Sequence, residues 1–239
     1  MAWLIADAHG GADAESDETL LDLLDLALER QVDVYLLGDL FAVWLASDRF
    51  LTSFQSAVIK KLRRIRNNQK RVVFVVGNRD YLVTEQLGAT FTQVIEHEEK
   101  VYISNRPTLL AHGDRINDED RLYHLWHRIS RNELSSTLIR TMPKNIAQQI
   151  STKLEEKFRS TNQAYKTGML PMKHLEKLSL RAKNDGVDQV VLGHFHADKT
   201  IEAKGGVPVI IAPAWLDQRK ILIADADGKL LSVNPLESA

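Results

Sequence analysis

Cysteine is absent from all 239 residues. That excludes disulfide staples, thiolate nucleophiles and cysteine-bound zinc, and it suits a reducing compartment. An excess of one charge is also missing: 31 basic and 32 acidic residues leave a formal net charge of −1. No bulk attraction toward nucleic acid follows, and no nucleic-acid partner is expected. No apolar run approaches the ~20 residues of a membrane span. The opening Met1-Ala2-Trp3-Leu4-Ile5-Ala6-Asp7 lacks the basic flank and long apolar stretch of a secretory leader. The expected location is cytoplasmic, with peripheral membrane contact left open. No internal repeat or low-complexity tract occurs. With 44% hydrophobic and 26% charged residues, the chain can build a sizeable core, as one large domain or as a core with an insertion.

What is present first is a rhythm. Trp3–Ala6, Val32–Leu37 and Arg71–Val76 read as buried strands. Between them, Leu20–Arg30 and Phe50–Arg66 carry apolar residues at helical spacing. This β-α-β-α-β order predicts an α/β fold with a parallel sheet. Residues 100–112 hold two short strand-like runs, the second ending at His112. From about Asp118 to Lys183 no strand pattern appears, while Ile146, Ile150, Leu154 and Phe158 recur every four residues. Residues 118–185 therefore read as a helical insertion, or cap, between core segments 1–117 and 186–239. Short β-rich runs then return at Gln189–Leu192, Lys199–Ala203, Val207–Ala212, Ile221–Ala224 and Leu230–Val233. Gly205-Gly206 and Asp227-Gly228 are hairpin signals.

Polar residues of metal-ligand type mark the ends of these strands: Asp7 and His9, Asp39, Asn78, His112, then His194 and His196. In α/β sheets, functional groups collect beyond the carboxyl ends of the strands. Seven nitrogen and oxygen donors converging on one edge would meet the needs of a two-metal site, in which one carboxylate bridges both ions and a shared water ionises near neutral pH. Carboxylate, imidazole and amide donors suit manganese, iron or zinc better than calcium or magnesium. Gly38, Gly77, Gly113 and Gly193 each flank a candidate ligand and permit close backbone approach. Any one of these segments alone reads as a turn or a solvated histidine. Five in order, each at a strand end, do not. His97, His124, His127 and His174 fall in helical or loop contexts and read as surface or packing residues.

The ordered set Asp7-x-His9, Gly38-Asp39, Gly77-Asn78, His112 and Gly193-His194-x-His196 resembles the calcineurin-like metallophosphoesterases. The resemblance implies a four-layer α/β/β/α sandwich with a dinuclear site. It would give Asp7, His9, Asp39 and His196 to one ion. Asp39, Asn78, His112 and His194 would hold the other, with Asp39 bridging. Within that superfamily, "GDLFAVW" (38–44), "GNRDY" (77–81) and "HGDRINDEDRLY" (112–123) look like the UDP-2,3-diacylglucosamine pyrophosphohydrolases of lipid A synthesis, as does the helical insertion. That likeness implies cleavage of an acylated nucleotide-sugar pyrophosphate, usually with manganese, with iron or zinc as alternatives. It also implies peripheral contact with the cytoplasmic face of the inner membrane.

The same likeness names Asn78, Arg79, His112 and His194 as the catalytic set. It places Arg79 and Asp120 near phosphate and sugar, and Asn162 and Lys166 with Asn78 and His194 on the substrate. Three positions depart from the family pattern: Ala42 stands where an acidic residue is usual, Phe195 where threonine is commoner, and Ser160–Lys166 matches the polar cap segment only loosely.

Arg79 has its own chemical logic. Many phosphoesterases of this superfamily carry histidine after the metal-binding asparagine, where it can protonate a leaving alkoxide. Arginine cannot act as an acid near neutral pH, but it clamps phosphate oxygens bidentately. A leaving phosphate needs less protonation than an alkoxide, so Arg79 favours an anhydride substrate. Another nucleotide diphosphate, or a phosphodiester, is the nearer alternative; a non-catalytic scaffold on the same fold is the remoter one.

Overall fold

Four-residue apolar runs become central strands, and amphipathic helices cover them. A computed structural model describes residues 1–45, 51–81, 89–117 and 170–237, with single positions at 137, 141, 143, 146 and 153. In chain order the elements are β1 (Ala2–Ile5), α1 (Ala14–Glu29), β2 (Asp33–Leu36), β3 (Trp44–Leu45), α2 (Ser53–Asn67), β4 (Val72–Val75), β5 (Asp80–Tyr81) and β6 (Gln93–Ile95). They continue with β7 (Glu98–Ile103), β8 (Arg106–Ala111), α3 (Met172–Asn184), β9 (Gln189–Leu192), β10 (Lys199–Ile201), β11 (Val209–Ile211), α4 (Trp215–Gln218), β12 (Ile221–Ala224) and β13 (Leu230–Val233). Both long N-terminal helices start on side-chain caps. Asp13 accepts from the Ser16 amide, and Thr52 with Gln55 forms a reciprocal capping box before α2.

Two sheets result, in the orders β13-β12-β1-β2-β4-β6 and β10-β11-β9-β8-β7, beside a two-stranded β3-β5 pair. The expected parallel core is present: β1, β2, β4 and β6 run parallel in the first sheet, and β8, β9 and β11 in the second.

Side-chain alternation sorts the strands between layers. Trp3, Ile5, Val34, Leu36, Val72 and Phe74 face outward onto Leu20, Leu23 and Leu24 of α1 and Val58, Leu62 and Ile65 of α2. Their neighbours Leu4, Tyr35, Val73 and Val75 face inward onto Val101, Ile103, Leu110 and Val191 of the second sheet. On the far side, Leu175, Leu178 and Ala182 of α3 cover Leu109, Val190, Leu192 and Ile211. Each fully buried aliphatic side chain contributes about 1.5–3 kcal/mol of transfer free energy. The layer order is α/β/β/α, as expected. Helix α3 falls within the stretch read as an insertion, yet it packs as the fourth layer, in the crossover between the parallel β8 and β9. Of the expected apolar stripe, Ile146 is exposed; Ile150, Leu154 and Phe158 lie outside the described residues.

Register carries the fold into the site. Ile5, Leu36 and Phe74 stand level across the first sheet. Asp7, Asp39 and Asn78 therefore follow just beyond one edge. In the second sheet Ala111 stands level with Leu192, so His112 and His194 emerge at the same place.

Candidate metal centre

Beyond the strand ends the backbone is held in an unusual state. Asp7, His9, Asp39, His194 and His196 all have positive φ, between 45° and 65°. Side chains other than glycine rarely adopt this left-handed region, although Asp and His tolerate it better than most. Strain of this kind persists only where surrounding structure imposes it, and it clusters at functional sites. Here the imposing structure is backbone pairing. The amides of Asp7, His9 and Gly10 donate to the carbonyls of Gly38, Asp39 and Leu40, stitching the first two candidate-ligand loops together. Two glycines permit the approach. A Cβ on Gly38, at φ +92°, would run into the His112 ring, and one on Gly77 would run into the Asp39 carboxylate.

The side chains form two overlapping groups. In one, donor atoms of Asp7, His9 and His196 lie within 4.8 Å of one another; in the other, those of Asp7, Asp39 and His112 do. Asp7 Oδ1 is 3.5 Å from His196 Nε2 and 4.0 Å from His9 Nε2. Its other oxygen accepts the His194 amide at 2.8 Å, tying β1 to the loop after β9. Asp39 Oδ1 accepts the Arg79 amide at 2.8 Å and lies 3.7 Å from His112 Nε2. Asn78 Oδ1 is 3.1 Å from His112 Nε2 and 3.1 Å from His194 Nδ1, so the amide joins these two rings. All seven expected ligands thus meet at one edge. Asp7 is common to both groups of acids and histidines; Asp39 joins the second.

A family model for the calcineurin-like phosphoesterases matches residues 2–198. The chain belongs to that family. It is 26% identical over 237 residues to a UDP-2,3-diacylglucosamine hydrolase of Shewanella baltica, covering 98% of each chain. It is 28% identical over 202 residues to the enzyme of the same name from Pseudomonas entomophila, covering 82% of each. Among solved structures it is similar to a dimetal phosphatase from Danio rerio, at 12% identity and a TM-score of 0.46, covering 97% of this chain and 98% of that one. Membership makes the protein a metal-dependent phosphoesterase and implies a dinuclear divalent centre.

The residues present fit such a centre. His9 Nδ1 is buried without a hydrogen-bond partner, and Asp7 Oδ1, equally buried, has only the long 3.5 Å approach of His196 Nε2. A buried polar atom left in that state costs about 1–3 kcal/mol, which a cation near Asp7 Oδ1 would relieve for that oxygen. The electrostatics of this phosphoesterase agree. Burial works to raise the Asp7 carboxyl, but hydrogen bonding and charge from His196 outweigh it and hold the group well below the usual range. Burial pushes Asp39 up, and the His112 and Arg79 charges offset this only in part. Burial and the Arg79 charge lower His9 to about 3, while burial and the His112 charge lower His194 to about 4. Both rings are therefore neutral at pH 7 and able to ligate.

Arg79 is 6% exposed. Its Nε lies 3.5 Å from Asp39 Oδ2, and Nη1 reaches the carbonyl of Ala42, the position where the family pattern has an acid. Phe195 stands edge-on to His194 with ring centres 5.2 Å apart and packs against the outer core of the second sheet. His97 is at the surface and His174 lies on α3. Asp120, Asn162 and Lys166 lie outside the described residues.

Two residues at the centre are not apparent from sequence reasoning. Asp80 accepts the amides of Asp39 and Gly77, each at 2.8 Å, from a fully buried position. Its neighbourhood to Asn78 was the available signal. Asp217, on α4, meets His196 Nδ1 at 2.6 Å. One acid in a four-residue helix offers no periodic pattern to read.

Proposed function

We propose that the protein cleaves the pyrophosphate of UDP-2,3-diacylglucosamine to UMP and 2,3-diacylglucosamine 1-phosphate. The observation that carries this reading is Arg79, a buried and permanently charged group against the centre's Asp39. Beside it stands the name borne by relatives that align over nearly the whole chain. Two divalent cations, foremost Mn²⁺, would polarise phosphoryl oxygens and lower the pKa of an attacking water. Asp7, His9, Asp39 and His196 would hold one, and Asp39, Asn78, His112 and His194 the other.

The chain's own groups then set the selectivity. In the cleavage, a water oxygen bonds to phosphorus as its proton passes to solvent, and the bridging oxygen leaves on the sugar phosphate with its electron pair. Arg79 neutralises charge on the phosphoryl oxygens and supplies no proton. An anhydride leaves without that proton far more readily than an alkoxide does. Asn78, His112 and His194 border the same space and orient the transferred group. Asp120, Asn162 and Lys166 are proposed to contact the sugar and phosphate from the segment between β8 and α3. No helix among the described residues is long and apolar enough to cross a membrane, and the lipid substrate is proposed to be met at a membrane surface.

The test is a comparison of substrates. Purified protein with Mn²⁺ is expected to release UMP from UDP-2,3-diacylglucosamine in preference to turning over ADP-ribose or bis-p-nitrophenyl phosphate. Turnover of either alternative with no UMP released would overturn the substrate; no turnover of any would favour a scaffold role.

A further inference from the structure

His196 can present either ring nitrogen to the centre, and something must choose. Nδ1 lies 2.6 Å from Asp217 Oδ2, so Nε2 is the atom left facing Asp7, 3.5 Å away. Asp217 is held as firmly as the ring. Trp215, two residues earlier, is fully buried in the core of the first sheet. The Trp215 amide donates to the Ala6 carbonyl at 2.9 Å and the Leu216 amide to the Asp7 carbonyl at 3.3 Å. After the helix, Arg219 adopts φ 52° and turns its guanidinium back onto the Trp215 and Leu216 carbonyls. It also reaches Asp13, the cap of α1, at 3.3 Å. One helical turn therefore grips the backbone that carries Asp7 while its carboxylate fixes the ring of His196.

We infer that Asp217 is a positioning residue that orients His196 Nε2 toward a divalent cation shared with Asp7 and His9. A carboxylate on the far nitrogen of a ligating histidine fixes its tautomer and makes it a stronger donor. The inference rests on the dinuclear reading of the centre. It goes beyond the ligands themselves, because Asp217 would act through His196 and not on the cation or the substrate directly.

The test is titration of Mn²⁺ into metal-free protein, followed by calorimetry and by the magnetic coupling of paired ions. Wild-type protein is expected to take up two ions. Asp217→Ala is expected to weaken one of them about 10- to 100-fold and to leave the other in place. Asp217→Asn keeps an oxygen acceptor of the same shape without the charge, and a smaller loss is expected; it decides the matter should the alanine variant fail to fold. Arg219→Ala loosens the same helix without removing the carboxylate, and is expected to weaken that ion less than Asp217→Ala does. Equal binding by wild type, Asp217→Ala and Asp217→Asn would overturn the assignment. So would an equal loss in Arg219→Ala, which would place the effect in the helix rather than in the carboxylate. Wild-type protein that takes up no Mn²⁺ would remove the dinuclear reading and the assignment together.

Discussion

His196 and His112 belong to different donor groups of the centre, and their outer nitrogens rest on different partners. His196 Nδ1 meets the Asp217 carboxylate at 2.6 Å; His112 Nδ1 meets the Leu37 carbonyl at 2.8 Å. The side chain of His196 is 15% exposed and that of His112 only 1%. The half around His112 is thus made by strand ends in register, propped by backbone groups and by the buried Asp80 carboxylate that accepts two of their amides. The half around His196 is more open and depends on a charged group from a short helix late in the chain. A sheet edge fixes positions through many shared hydrogen bonds, whereas a single carboxylate fixes one ring. Damage should therefore spread differently in the two halves.

The largest effect is expected at the carboxylates between the halves. Asp39→Ala should lower turnover about 10³-fold or more and empty both cation positions, measured by metal analysis of purified protein. Asp7→Ala should abolish the ion on the His196 side and weaken the other less. The reverse pattern would make Asp7, the residue common to both groups of donors, the bridge instead of Asp39. Next in size is Gly77→Ala. The new Cβ would meet the Asp39 carboxylate and amide nitrogen, and neither can retreat without moving the second ligand loop. Turnover is expected to fall about 10²-fold, as small misplacements do, with a stability loss of about 1–3 kcal/mol by denaturant titration. The ion beside His196 should weaken less than the one beside His112; an equal loss would show that the two halves do not yield separately.

In both halves the candidate ligands were legible in the sequence and their side-chain props were not. Asp39, Asn78, His112 and His194 follow apolar runs whose ends locate them, because period-2 burial and parallel register bring strand termini together. Asp7 and His9 were legible for the same reason. The polar props were not. Asp80 and Asp217 act through hydrogen bonds to groups 41 and 21 residues away, and no local pattern records a contact of that range. The strands β3, β5 and β6 have two or three residues each, too short for alternation to show. Helix α3 escaped as a core element for a different reason: it is amphipathic like any cap helix, and only the crossover between β8 and β9 assigns it a layer.

A smaller effect should separate the two functions of Asp80. Its Oδ2 accepts two buried amides, and burial together with the Asp39 charge pushes its carboxyl up to about 7. Asp80→Ala strands both amides, at about 1–3 kcal/mol for each, and thermal melting should register it. Asp80→Asn retains an acceptor oxygen and should stay within about 1 kcal/mol of wild type. If the two variants melt alike, the prop is electrostatic and the His112 half resembles the His196 half more than its geometry implies.

The smallest effect is one of pH, and it bears on both histidines. Burial works to lower His112, but the charges of Asp39, Asp7 and Asp114 outweigh it and carry the ring up to about 9. Burial likewise opposes His196, while hydrogen bonds to Asp217 and Asp7 carry it up to about 10. Both rings therefore hold a proton at pH 7 in metal-free protein, and ligation must displace it. Mn²⁺ affinity should rise as pH climbs toward 9 and 10, with protons released on binding, measured by calorimetry in buffers of different ionisation enthalpy. The sign for stability is opposite. Both folded values lie above the ordinary histidine value of about 6.5, so their contribution is whole below that pH and is lost as pH rises through 9 and then 10. Metal-free protein should melt at progressively lower temperature from pH 7 to 10. Asp217→Ala removes the stronger prop of His196 and should confine the decline to the His112 range near 9. A decline unchanged by that substitution would mean that Asp7 alone holds the proton on His196, and the contrast between carboxylate-propped and carbonyl-propped histidines would lose its electrostatic part.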